Sequence, residues 1–272
     1  MTPMQTLTDT VALSRNRARA RDLFLRDRVA ADVHERLQEV NRSFTTPLIV
    51  TPTPDIWASI LPDAASITDA ETLPVQVAAH DLLIHDLSLH WANDLVGQLV
   101  QSRRALMPDG LFVGTLFGGQ TLHELRTCLA EAESRVTGGL SPRIAPMGEI
   151  RDLGGLLQRA GFALPVADSD TIRVTYADAH ALMRDLRAMG EGNALANRLR
   201  RPTRRAVFDT AAALYATYFA IDGRIIATFE VVTLTGWAPA DTQPQPLRPG
   251  SATARLADAL GTAETPLKPH GD

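Results

Sequence analysis

Two histidines, an aspartate and a tryptophan crowd the run His85-Asp86-Leu87-Ser88-Leu89-His90-Trp91. Two imidazoles and a carboxylate form a donor set that suits iron, and a single imidazole can take or give a proton near neutral pH. His85 and Asp86 are neighbours in an extended segment, however, and strand neighbours face opposite sides of a sheet. The spacing alone therefore assigns no metal site. Hydrogen-bonded histidines beside a partly buried pocket, with Trp91 as a packing wall, account for the same residues.

Other candidates lie downstream. Phe117-Gly118-Gly119 brings backbone without side-chain bulk to a strand end, and Glu124 and Arg126 stand just inside the helix that follows. His90 and Glu124 are the groups able to take a proton from an acceptor. Glu124 is also three residues beyond Thr121, the spacing of a capping box, and can be spent there. Glu191 and Asn193, in Met189-Gly190-Glu191-Gly192-Asn193, either cover a pocket mouth or form a plain packing layer. Cys128 falls in the apolar pattern of Leu122, Leu125 and Leu129 and reads as an inert buried thiol. A single cysteine permits no disulfide framework, which favours a reducing compartment; we expect the cytoplasm.

Helix and strand must deliver these groups to one place. Residues 13–40 carry apolar side chains at helical spacing without Pro or Gly, so one long helix is expected in an N-terminal arm, residues 1–46. Its arginines at 15, 17, 19, 21, 26 and 28 read as a solvated face or a binding arm. Leu48-Ile49-Val50 is a strand buried on both faces, followed by a short helix capped by Asp55, a short strand over 65–68 and a strand over 81–85. A helix from Val96 and a strand over 111–117 imply a parallel sheet. Helices over 121–136 and 149–160 precede an edge strand over 166–176. The core thus spans 47–176, a helical insertion 177–223, and a final strand 224–238. Residues 239–272 form a Pro/Gln-rich tail with a possible short helix over 252–260.

At 272 residues and 45% apolar, the chain can bury a large core. A net charge of −4 offers no field for nucleic acid, and no apolar run approaches the roughly 20 residues of a membrane helix, so neither partner is expected.

Three pieces in order, Asp69-Ala70-Glu71-Thr72-Leu73-Pro74, Asp81-Leu82-Leu83-Ile84 and Leu106-Met107-Pro108-Asp109-Gly110, resemble class I S-adenosylmethionine-dependent methyltransferases. The later segments Phe117-Gly118-Gly119-Gln120-Thr121-Leu122, Gly138-Gly139-Leu140-Ser141-Pro142-Arg143, Met189 to Asn193, Ala227-Thr228-Phe229-Glu230 and Pro249-Gly250-Ser251-Ala252 are similar to the methyltransferase-like assembly factors of respiratory complex I. Those are related to biotin-pathway malonyl-carrier methyltransferases. The resemblance implies a Rossmann-like α/β sheet with a helical lid, an S-adenosylmethionine site touching Asp69, Ala70 and His85, and a protein substrate, a complex I subunit among the possibilities. It places Asp86, Trp91, Phe117, Gly118, Gly119, Arg126, Glu191 and Asn193 around the substrate pocket or lid. It also implies either methylation or arginine hydroxylation, or an adaptor that only holds its partner.

One stretch departs from that pattern. The turn after the first strand is Thr51-Pro52-Thr53-Pro54 where such enzymes keep glycines, and eighteen residues separate Val50 from Asp69. A strand–helix–strand unit takes about 30. The cofactor half is therefore expected to be truncated, lacking one strand–helix unit and its ribose-binding acid.

Overall fold

A computed structural model describes residues 6–243, with 258, 261 and 262. The chain divides into a unit of residues 1–239 and a second of residues 240–272. In the second, the described residues 240–243 form a turn with the Gln243 amide on the Ala240 carbonyl. The helix expected over 252–260 lies, apart from Asp258, outside the described residues, as does Pro249-Gly250-Ser251-Ala252.

The first unit begins with two helices, α1 (Thr10–Arg17) and α2 (Phe24–Glu39), instead of the single helix expected. No Pro or Gly causes the break. The amides of Arg21 and Asp22 both donate to the Ala188 carbonyl, so tertiary bonds take the donors that a continuous helix would use. Next come β1 (Pro47–Val50), α3 (Pro54–Ile60), β2 (Ala65–Ile67) and β3 (His80–His85). Pro54 opens α3, whose missing amide costs nothing there, and Thr53 rather than Asp55 occupies the cap position. A single 3-10 turn, Leu89–Trp91, leads to α4 (Leu95–Ala105), β4 (Leu106–Phe117), α5 (His123–Thr137), α6 (Ile150–Arg159) and β5 (Ala163–Tyr176). The insertion holds α7 (Ala179–Ala188), α8 (Arg205–Tyr218) and β6 (Ala220–Ile221), and β7 (Arg224–Trp237) closes the sheet.

The strands run in the order β2-β1-β3-β4-β7-β5, with β6 pairing β7. β2, β1, β3 and β4 are parallel, and β7 is antiparallel to both β4 and β5. All four β1 residues are buried, as an unbroken apolar run between two covered faces requires. Alternation along the strands divides the core. Ile49, Ile84, Leu111 and Val113 join α2, α5, α7 and α8 on one face, while Leu48, Val50, Leu83 and Phe112 join α4 and α6 on the other. A sheet covered on both faces leaves its carboxyl edge for ligands, and Thr51, His85 and Phe117 all stand at that edge.

Candidate functional site

Beyond the ends of β2 and β3 lies a cavity of about 620 Å³, lined in part by Asp69, Ala70, Glu71, His85, Trp91 and Asp94. Thr6, Thr10 and Leu13 of the arm close its other side. Gln98 of α4 fixes the loop at 69–71 by donating from Nε2 to the carbonyls of Ala70 (2.8 Å) and Glu71 (3.0 Å). Its Oε1 is thereby the acceptor for His85 Nε2 at 3.4 Å, which leaves His85 Nδ1 to receive the Ser88 hydroxyl at 3.1 Å. Burial pushes the His85 imidazole down to about 4, against the pull of Asp69 and the Gln98 bond, so it is neutral at pH 7.

On the other side of Trp91 is a second cavity of about 200 Å³. Phe117, Leu125, Met183, Phe208 and Phe229 make most of it apolar; Glu191 and Asn193 add polar groups from the insertion. Glu191 is largely buried, its side chain 9% exposed, yet ionised. Burial alone would raise its carboxyl, but the His90 bond and the charges of Arg26 and Arg17 hold it down at about 2. Its Oε2 accepts from Trp91 Nε1 (2.7 Å) and His90 Nε2 (3.3 Å), and its Oε1 from Arg26 Nη2 (3.2 Å). Arg26 also donates to the Leu87 carbonyl (3.0 Å) and lies 3.4 Å from Asp86 Oδ2. Burial lowers the His90 pKa, and Phe117 N donates to its Nδ1 at 3.5 Å, so His90 too is a neutral, doubly engaged ring.

Sequence comparison gives these cavities a lineage. No protein-family model matches the chain. It is 38% identical over 225 residues to "Arginine-hydroxylase NDUFAF5, mitochondrial" of Danio rerio, covering 83% of this chain and 70% of that one. The chain belongs to the NDUFAF5 family. It is also 40% identical over 171 residues to the malonyl-[acyl-carrier protein] O-methyltransferase of Xylella fastidiosa, covering 63% of this chain and 56% of that enzyme. The YcgJ protein of Bacillus subtilis superposes with a TM-score of 0.50 at 9% identity, over 78% of this chain and 98% of that one. The fold is accordingly that of the class I Rossmann-like methyltransferases.

In this NDUFAF5-family chain Asp69, Ala70, His85 and Trp91 line the larger cavity and Trp91, Phe117, Glu191 and Asn193 the smaller, while Asp86, His90, Gly118, Gly119, Glu124 and Arg126 line neither. His85 and Asp86 do face opposite ways, His85 toward Gln98 of α4 and Asp86 toward Arg26 of α2. Among the described residues no three His, Cys, Asp or Glu side chains converge as a metal site. Glu124 lines neither cavity: its carboxylate accepts the Thr228 amide and hydroxyl on β7. Thr121 is likewise bound to Glu230 of β7 through its hydroxyl, and Leu122, at φ +54°, precedes α5, so the capping box does not form. Arg126 braces the Gly118 turn through the carbonyls of Gly119 and Thr121. A Cβ on Gly118 would stand 2.6 Å from the Glu230 carboxyl, which would have to move away. Asn193 binds the Pro142 carbonyl, which ties the insertion to the 138–143 loop. Sequence reading missed Arg17 and Arg26 as parts of this site. A helical run of six arginines looked solvated, and only partners 52 and 165 residues away reveal the difference.

Proposed function

We propose that the chain acts on, or holds, a protein substrate through the two cavities that meet at Trp91, with a weakened S-adenosylmethionine site in the larger. The observation that carries this is the shared Trp91 wall, which sets a cofactor-sized space against an apolar side-chain pocket. Among the described residues lining the larger space, Asp69, Glu71 and Asp94 are acidic and none is Lys or Arg, a lining that suits a cationic ligand such as a sulfonium. The residues present fit the adenosine end, at Asp69, Ala70 and His85. They fit the rest poorly: Pro52 and Pro54 have no amide to donate, and Thr51 Oγ1 is spent on Asp86 at 2.7 Å. The eighteen residues between Val50 and Asp69 hold only α3 and β2, in keeping with a cofactor half shortened by one strand–helix unit.

When bound, S-adenosylmethionine supplies an electrophilic methyl group. The chain's own contribution is placement, because His90 and Glu191 are both engaged and Glu124 faces away. The 189–193 segment serves as the lid of the smaller cavity. By analogy with the named relatives, the substrate is an arginine-bearing protein segment, with a complex I subunit the leading candidate, and a reducing compartment suits the buried Cys128 thiol. Hydroxylation is the second reading, favoured by the relatives' name. Among the described residues no helix is long and apolar enough to cross a membrane.

The test is mass spectrometry of complex I subunits from cells with and without the protein, alongside calorimetric titration with S-adenosylmethionine. The expected result is an arginine-containing peptide modified only when the protein is present, and cofactor binding no tighter than about 100 μM, roughly 5–6 kcal/mol. An added oxygen in place of a methylene selects hydroxylation. Unmodified subunits that still bind the protein select the holding role.

A further inference from the structure

The arm closes one side of the larger cavity, and its Arg17 is paired with Asp69 of the cavity wall. Arg17 Nη1 lies 2.8 and 2.7 Å from the two Asp69 oxygens, with both side chains about 15% exposed. Arg17 shares the α1 face that carries Thr10 and Leu13 to the cavity wall. Among the described residues its buried Nε and Nη2 have no hydrogen-bond partner, so Asp69 is the described group that holds the guanidinium there.

The same arm is stitched to the insertion. Thr8 bridges Leu195, the Asp9 amide donates to the Ala194 carbonyl, and the Ala196 amide donates to the Leu7 carbonyl. Asn16 Nδ2 donates to the Gly192 carbonyl at 2.9 Å, next to Glu191 of the smaller cavity. Asn93, at the rim of the larger cavity, accepts the amides of Leu7 and Thr8. One segment therefore touches both cavities.

We propose that Arg17–Asp69 is a latch: the arm competes with a nucleoside ligand for Asp69, and ligand that displaces Arg17 loosens the arm and, through it, the 192–196 segment. This rests on reading the larger cavity as the nucleoside site. A contact that must be broken before ligand enters reduces apparent affinity by the fraction of molecules already open. Removing the latch must then tighten binding, the opposite of what loss of a ligand-holding arginine does.

The probe is S-adenosylhomocysteine, titrated into the full chain and into Arg17→Gln, with hydrogen exchange followed on the wild type. The substituted protein is expected to bind about tenfold tighter. Ligand should speed exchange at the Asp9 and Ala196 amides of the wild type, a readout that does not depend on the variant folding. Equal or weaker binding by Arg17→Gln, or slower exchange at those amides on ligand addition, overturns the latch while leaving the nucleoside site standing. No binding to either protein, at millimolar ligand, overturns both.

Discussion

Arg26 joins two buried carboxylates from distant parts of the chain. It is 4% exposed, lies 3.4 Å from Asp86 and 3.2 Å from Glu191, and donates to a strand-end carbonyl as well. Ion pairs at such depth are costly to form but more costly to break, because a lone carboxylate left inside has no water to replace its partner. Arg26→Ala should destabilise by about 3–5 kcal/mol in urea denaturation, the range for losing one partner of a buried pair. Glu191→Gln keeps the shape and removes one of the charges. Combined with Arg26→Ala it should cost less than the sum of the two, as groups in direct contact do. Strict additivity would mean that Arg26 and Glu191 do not feel one another.

At the level of elements, the crossing of α1 and the loop after α7 is constrained at Gly190. Gly190 sits at φ +80°, and a Cβ there would stand 3.2 Å from both the Arg17 Cα and the Ala20 Cβ. Gly223, in the turn before β7, has nearly the same backbone at φ +74° but open space around it. Gly223→Ala should thus report the left-handed strain alone, about 1 kcal/mol, and Gly190→Ala that strain plus the displaced arm, about 2–3 kcal/mol by thermal or chemical melting. Equal losses would show that the arm yields freely. This crossing also marks where the sequence stops being legible. The buried run of β1, the parallel pair of β3 and β4 and the long final strand announce themselves through local hydrophobic pattern, though β4 starts at Leu106, ahead of the expected 111, and takes Pro108-Asp109-Gly110 into the strand. The break between α1 and α2 has no local cause, since it is made by Ala188. Thr121 and Glu124 show the converse: their spacing is right for a cap, yet both side chains find partners on β7, over a hundred residues later. The strand-end position of His85 and the hydrogen-bonded state of the histidines are readable locally; the partners of His90 and Glu124, Glu191 and Thr228, are not, because they lie about a hundred residues away.

For the whole molecule, the buried histidines set how stability depends on pH. An unfolded histidine titrates near 6.5, whereas His85 in the fold does so at about 4 and His90 is also lowered, in both cases because burial penalises the imidazolium. From pH 6.5 downward the unfolded chain therefore binds more protons than the folded one, and stability must fall with pH. Glu191 acts in a different window. Its folded value of about 2 lies below the unfolded 4.5, so its contribution is complete above pH 4.5 and is lost only as pH drops from there toward 2. Between 6.5 and 4.5 the slope belongs to the histidines, at most about 1.4 kcal/mol per pH unit for each. Urea midpoints measured across that interval should decline, and His85→Gln should remove a large part of the decline while leaving in place the Glu191 loss that continues toward pH 2. A flat wild-type profile between 6.5 and 4.5 would contradict neutral burial of both rings. Because His85 lines the larger cavity yet stays neutral in the fold until about pH 4, ligand affinity should hold between pH 6.5 and 4.5 while stability falls, and weaken only at lower pH, where the imidazolium forms beside the cavity.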